Sequence, residues 1–226
     1  MRGIIFTELR RFVIEKFGRK TWIDLLLDAG VDYPKKMYVA TASYDDSEIE
    51  LLAGAAVRLT GLTRDQILDA FGASLASGLL TKYKFLIRPE WTLEDVLLNI
   101  ETTIHQVVRA KHPDANPPEL KVERSRAGEL KMLYFSKRKM AALAKGLIKG
   151  TASFLGEQAV VRGKPKEDGS CEILISILEP AHQKDEQLQP KLDARKSLIK
   201  PRLRSLGDSK SHIFRKAHRI SEKQGT

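Results

Sequence analysis

Pro113, Pro117 and Pro118 fall within six residues, and the apolar pattern differs on their two sides. A proline has no backbone N–H and disfavours helix in the residue before it, so no helix crosses this stretch. Whatever the chain folds into must change architecture here.

Before the prolines, apolar residues recur at helical spacing. In "FTELRRFVIEKFG" they are Phe6, Leu9, Phe12, Val13 and Phe17, with Gly18 placed as a C-cap. "TWIDLLLDAG" predicts a second helix capped by Thr21 and stopped by Gly30, and a third runs from about Ser47 to Leu59. Thr63 with Gln66 three residues on is a capping box opening the next. After a turn near Arg88-Pro89-Glu90, Thr92 caps one continuous helix through "LEDVLLNIETTIHQVVRAKH".

After the prolines, the period falls to two. "ELKVERS" and "ELKMLYFS" alternate around a turn at "RAG" and predict a hairpin. Residues 139–154 return to helical spacing, with Met140, Leu143, Ala144, Leu147, Ile148 and Phe154 on one stripe. "EQAVVRG" and "CEILISIL", joined by "KPKEDGS", add two strands. The fold class is therefore α+β: a helical part, residues 1–117, followed by β-β-α-β-β, an antiparallel sheet of four strands with a helix on one face, residues 118–180. With 226 residues and 42% hydrophobic composition, the chain can bury one good core plus an extension.

The formal charge of +10 is uneven. Residues 181–226 hold twelve Lys/Arg against five Asp/Glu, a surplus of seven, and Pro190 and Pro201 interrupt their sparse apolar residues. They predict a basic, flexible tail that is either solvated or touches an acidic partner, nucleic acid or anionic membrane. His182, His212 and His218 in it describe no defined metal site. Charged residues from Glu8 to Lys16 break up any signal-peptide pattern, and no uncharged run is long enough to span a bilayer, so a cytoplasmic location is expected. The lone Cys171 excludes an internal disulfide and reads as a small buried residue.

Two local patterns carry chemistry. In "YFSKRKM", Tyr134, Ser136 and Arg138 stand at every second position, so in a strand they share one face. Two hydroxyls and a guanidinium suit a carboxylate or phosphate, although the same alternation also describes the polar face of a half-buried sheet. His105 lies on the predicted helix with Leu98 and Val108 at helical spacing. Such a histidine is either a boundary residue of the core or a metal ligand. No HxxxH, HxxE or DxD partner stands near it, so a metal there must bring most of its own donors, as a haem does.

Taken together, these landmarks resemble the haem–nitric oxide/oxygen binding family, the sensor domain also found in soluble guanylate cyclases. The resemblance runs from "MRGIIF" through "IHQVVRAKHPDANPPEL", the Y-x-S-x-R motif as "YFSKR" and "GLIKGTASFLGE" to "CEILISI". It implies haem b, ferrous iron protoporphyrin IX, held between the helical and sheet parts of residues 1–180. His105 matches the axial iron ligand, and Tyr134, Ser136 and Arg138 match the clamp on the haem propionates. Pro118 and Ile5 match porphyrin contacts. In oxygen-binding members the distal pocket carries a tyrosine; the matching residue here is Leu143, with Leu75 and Leu9 at two supporting polar or aromatic positions. An apolar pocket leaves bound oxygen without a hydrogen-bond donor, so the resemblance implies a nitric oxide sensor that excludes oxygen.

Weakening of the bond to His105 is then expected to shift the two parts relative to each other. No serine–histidine pair or spaced carboxylate pair points to catalysis, so the signal is expected to pass to a partner such as a histidine kinase, a cyclic-dinucleotide enzyme or a chemotaxis protein. Some bacterial relatives hold zinc with a cysteine cluster, of which only Cys171 stands here, so no zinc is expected. Two rival readings remain at this point: a haem-free small-molecule-binding module of similar C-terminal fold, and nucleic-acid binding through the tail.

Overall fold

The computed structural model describes residues 1–32, 35–113 and 115–178. The tail of residues 181–226, with its three histidines, lies outside the described residues.

Among the described residues, six α-helices and four strands follow one another, close to the predicted order. Helix α1, Gly3–Asp28, joins what the sequence divides into two. Gly18, at φ 87°, kinks it in the left-handed region that glycine tolerates, and the helix resumes at once. Thr21 is therefore not an N-cap, and its hydroxyl donates to the Phe17 carbonyl at 2.8 Å. Phe17 beside the kink is 55% exposed and leaves the predicted apolar stripe. At the far end Gly30, φ 72°, closes a Schellman turn: Val31 N–H donates to Leu26 and Gly30 N–H to Leu27. Asp45 caps α2, Asp46–Thr60, and the Thr63–Gln66 capping box opens α3, Arg64–Tyr83, as expected.

The run after Thr92 differs from expectation. Helix α4, Leu93–Asn99, opens on a Thr92–Asp95 capping box. Ile100–His105 then form a π-helical turn, and α5, Gln106–Lys111, completes the run. One extra residue is thereby fitted into what the apolar spacing reads as continuous α-helix. Such insertions cluster at functional sites.

Strands β1, Glu119–Arg126, and β2, Glu129–Phe135, form the hairpin around Ala127-Gly128, with a register shift between Arg124 and Arg126. Helix α6, Ala141–Phe154, precedes β3, Gln158–Pro165, and β4, Cys171–Leu178. The sheet is antiparallel in the order β1-β2-β4-β3. Alternation puts Leu130, Met132, Ile173 and Ile175 on its buried face, where Met132 pairs with Ile173 and Leu130 with Ile175. Cys171 is buried as read, whereas Phe154 is 49% exposed at the end of α6.

Two hydrophobic clusters meet at α6. Met140 and Ala142, with Leu143 and Leu147, join the helical cluster around Phe6, Leu26 and Phe71. Ile148 and Ala152 join the sheet cluster, which also takes Leu93 and Leu97 from α4. The division of the core thus does not follow chain order. Helices α3 and α6 cross very closely: a Cβ on Gly146 would stand 2.0 Å from the Asp69 carbonyl oxygen, on Gly72 2.3 Å from that of Leu143, and on Gly150 2.3 Å from that of Ala73.

Candidate functional site

Where the N-terminus of α1, helices α3 and α6, the π turn, the proline segment and β2 converge, they enclose a cavity of about 270 Å³ with mainly apolar walls. This is just under the roughly 300–1,000 Å³ usual for ligand pockets. Ile5, Leu75, His105, Pro118, Tyr134, Ser136, Arg138 and Leu143 all line it. Leu9 does not: it borders a smaller apolar cavity with Phe12, Val13 and Phe71, on another side of the helical cluster. Leu9 lies on the same side of α1 as Ile5 but one helical turn, about 6 Å, further along the axis, which carries it past the cavity.

His105 closes the π turn, and its side chain is 13% exposed. Its Nδ1 lies 2.8 Å from Glu101 Oε2, so a neutral ring donates there and carries its lone pair on Nε2. Burial lowers its tendency to protonate, outweighing the opposite pull of Glu101. Glu101 also accepts from Arg109 Nη2 and, at 3.3 Å, from the Leu120 backbone N–H. Burial opposes its ionisation, but hydrogen bonds from Arg109 and His105 hold the carboxyl below its ordinary range.

The three Y-x-S-x-R side chains reach the cavity by a route the sequence does not reveal. Strand β2 ends at Phe135, so only Tyr134 lies in a strand; Ser136 and Arg138 sit in the following turn. Lys139 N–H donates to the Ser136 carbonyl at 3.2 Å, Arg138 N–H to the Ser136 hydroxyl at 3.2 Å, and Lys139 adopts φ 50°. The turn, not strand alternation, gathers the set. Burial raises the Tyr134 phenol above its ordinary value, while hydrogen bonds to Ser136 and the Met140 backbone work against this.

Arg138 is 14% exposed, and its Nη1 donates to the Asn116 carbonyl at 2.6 Å. Its Nε lies 2.8 Å from Asp46 Oδ2, close enough for ionic attraction. The N–H is not aligned with that oxygen, so Nε is a buried donor without a hydrogen bond. A buried guanidinium with an unused donor and two neighbouring hydroxyls suits an acidic group on a ligand.

Glu101, Asp46 and Asn116 are the site residues that sequence reasoning missed. Glu101 could have been found, because it lies four residues before His105 and eight before Arg109 on one helical face. Asp46 and Asn116 come from distant segments and leave no local signal. Among the described residues, no group of three or more His, Cys, Asp or Glu side chains is arranged to hold a metal ion. His105 therefore suits a metal that brings its other donors. A haem needs one axial base, an apolar slot and partners for two propionates, and the residues present supply all three.

Comparison with known proteins agrees. The Haem-NO-binding family model matches residues 2–162. A ferrous, unliganded H-NOX protein from K. algicida superposes with a TM-score of 0.71 at 28% identity, over 80% of this chain and 98% of that one. The fold also matches an H-NOX protein from S. oneidensis in its Fe(II)NO state, with a TM-score of 0.73 at 21% identity, over 79% and 100% of the two chains. The soluble guanylate cyclase gcy-34 of Caenorhabditis elegans is 26% identical over 172 residues, 73% of this chain. The chain spans about a quarter of that relative's length, 25%. The cavity, its single buried histidine and these likenesses lead to one statement: the chain belongs to the Haem-NO-binding family, the H-NOX haem-binding gas-sensor domains.

Proposed function

We propose that this chain is a haem-based sensor of nitric oxide that excludes oxygen and signals to another protein. When bound, ferrous haem supplies the centre at which the gas is captured. His105 holds it as the axial base through Nε2, and Tyr134, Ser136 and Arg138 hold the propionates. Pro118 and Ile5 press on the porphyrin. The observation that carries this reading is the convergence of all six residues on one apolar cavity.

Selectivity rests on the remaining wall. Leu75 and Leu143 offer no hydrogen-bond donor, which disfavours a polarised ligand such as bound oxygen. Leu9 lines another cavity and adds nothing to this wall. Thr151 also reaches the site cavity, but its hydroxyl donates to the Leu147 carbonyl at 2.8 Å. Tyr83 lines the same cavity from the end of α3, eight residues beyond Leu75. The nitric oxide reading requires that its hydroxyl stay out of reach of the captured gas.

The output is read as conformational, delivered to a histidine kinase, a cyclic-dinucleotide enzyme or a chemotaxis protein. In its support, the relatives carry the matching region as about a quarter of a larger cyclase. The test is the visible spectrum of reduced, haem-reconstituted protein under argon, oxygen and nitric oxide, beside His105→Gly. A spectrum unchanged by oxygen, altered by nitric oxide, and dependent on His105 or added imidazole is expected. Failure of the protein to retain haem in stoichiometric amount would overturn the reading and favour the haem-free binding module.

A further inference from the structure

One carboxylate collects donors from three elements. Glu101, inside the π turn, receives His105 Nδ1 at 2.8 Å, the Leu120 N–H of β1 at 3.3 Å and Arg109 Nη2 of α5. Among the described residues, β1 is one of the two edge strands of the sheet, and its outward N–H groups have no strand partner; Glu101 satisfies one of them and ties the π turn to the sheet. An ordinary helix-surface pair would have none of this burial or reach.

We propose that Glu101 is the positioning residue of the axial site. It keeps the His105 proton on Nδ1, presents Nε2 as the ligating atom, and strengthens that nitrogen as an electron donor. The inference rests on the reading of His105 as the axial haem ligand. Its physical basis is that an anionic acceptor on the far nitrogen gives a ligating imidazole partial imidazolate character and fixes the ring's orientation. The tie to Leu120 makes the ring's orientation depend on the position of β1. Arg109 has the opposite effect on strength, because its charge draws on the same carboxylate and moderates what His105 receives.

The signs of the two effects are the test. Wild type, Glu101→Gln and Arg109→Ala are reconstituted with haem and compared by the iron–histidine stretching band, the midpoint potential and the rate of haem loss to a scavenger. Gln keeps the shape of Glu but removes its charge. Glu101→Gln is expected to move the stretch to lower frequency, raise the potential and speed haem loss about 10- to 100-fold, the usual cost of losing such a partner. Arg109→Ala should move stretch and potential the other way by a smaller amount. A purely structural role would not produce opposite signs. A stretch and potential unmoved in Glu101→Gln, with His105 still bound to iron, would overturn the proposal.

A second readout needs no haem. Nitrogen NMR of His105 in the unloaded chain should show the Nδ1–H form, and Glu101→Leu should disperse it between the two tautomers. A dominant Nε2–H form in wild type, or no change in the variant, would overturn the positioning role. Absence of haem uptake by wild type would instead overturn the sensor reading, with the tautomer still deciding what Glu101 does.

Discussion

Replacing Gly146 by alanine adds one methyl where α6 crosses α3. That Cβ would stand 2.0 Å from the Asp69 carbonyl oxygen and 2.9 Å from Ala73 N, whereas ordinary contact begins at 3.4 Å. The helices must part by the difference, about 1.4 Å, because the obstacles are backbone atoms that cannot rotate away. Overpacking of this kind costs about 1–3 kcal/mol, and backbone opposition places it at or beyond the upper end. Alanine's better helix propensity returns about 1 kcal/mol, leaving a net loss of about 2 kcal/mol. For a domain of this size that is a fall in Tm of roughly 4–8 °C, measurable by circular dichroism during heating. Gly54→Ala is the control: its Cβ meets only the flexible Arg58 Nη1 at 3.5 Å in α2, so the same change should raise Tm by a few degrees. A Gly146→Ala protein that melts at or above the wild-type temperature would refute the reasoning. Because Leu75 and Leu143 line the cavity from these two helices, parting them should also speed haem loss.

Other expectations concern the site and its scaffold. Arg138→Ala removes the buried guanidinium beside Asp46 and the Asn116 carbonyl, and should lower haem retention by roughly ten- to a hundred-fold, read from scavenger kinetics. Leu143→Tyr places a hydroxyl on the cavity wall and should produce a spectrum that changes with oxygen; Tyr83→Phe in the wild-type background should leave the response to oxygen unaltered. Asp95 closes the α4 capping box, and its hydrogen bonds to the Thr92 backbone and hydroxyl hold its carboxyl below the ordinary value. A depressed value contributes stability that is present at neutral pH and lost as pH falls through the folded-state value. Asp95→Ala should therefore cost on the order of 0.5–1 kcal/mol in urea unfolding at pH 7, and the difference from wild type should shrink as pH falls through the folded-state value of Asp95.

Much of the architecture was legible because it is encoded in period and punctuation. The switch from helical to alternating apolar spacing at the prolines marks where the hairpin begins, and Thr63 and Thr92 mark helix starts by chemistry that acts within four residues. What was not legible depends on geometry between segments. Gly18 reads as a stop because glycine suits a left-handed C-cap, and its φ is left-handed, yet Trp22 and Leu26 packing into the core accompany a helix that resumes immediately. The π turn escaped because one extra residue leaves an apolar pattern still compatible with helix. Ser136 and Arg138 fit a strand by spacing, but a turn around Lys139 delivers them to the cavity instead. Leu9 aligns with a pocket position by resemblance, and the direction of α1 sends it elsewhere. His105 stands on the cavity wall, a position compatible with either reading that its apolar neighbours left open.

The π turn makes the number of residues between Leu97 and His105 as consequential as their identities. Leu93 and Leu97 are anchored in the sheet cluster, and Leu120 is anchored to Glu101 across the turn. Removing any one residue from 100–104 would let the run relax to plain α-helix, in which each residue accounts for about 100° of rotation. Either the two leucines would leave their core or His105 would swing out of the cavity wall. A single-codon deletion here should therefore be far more damaging than any conservative replacement within it.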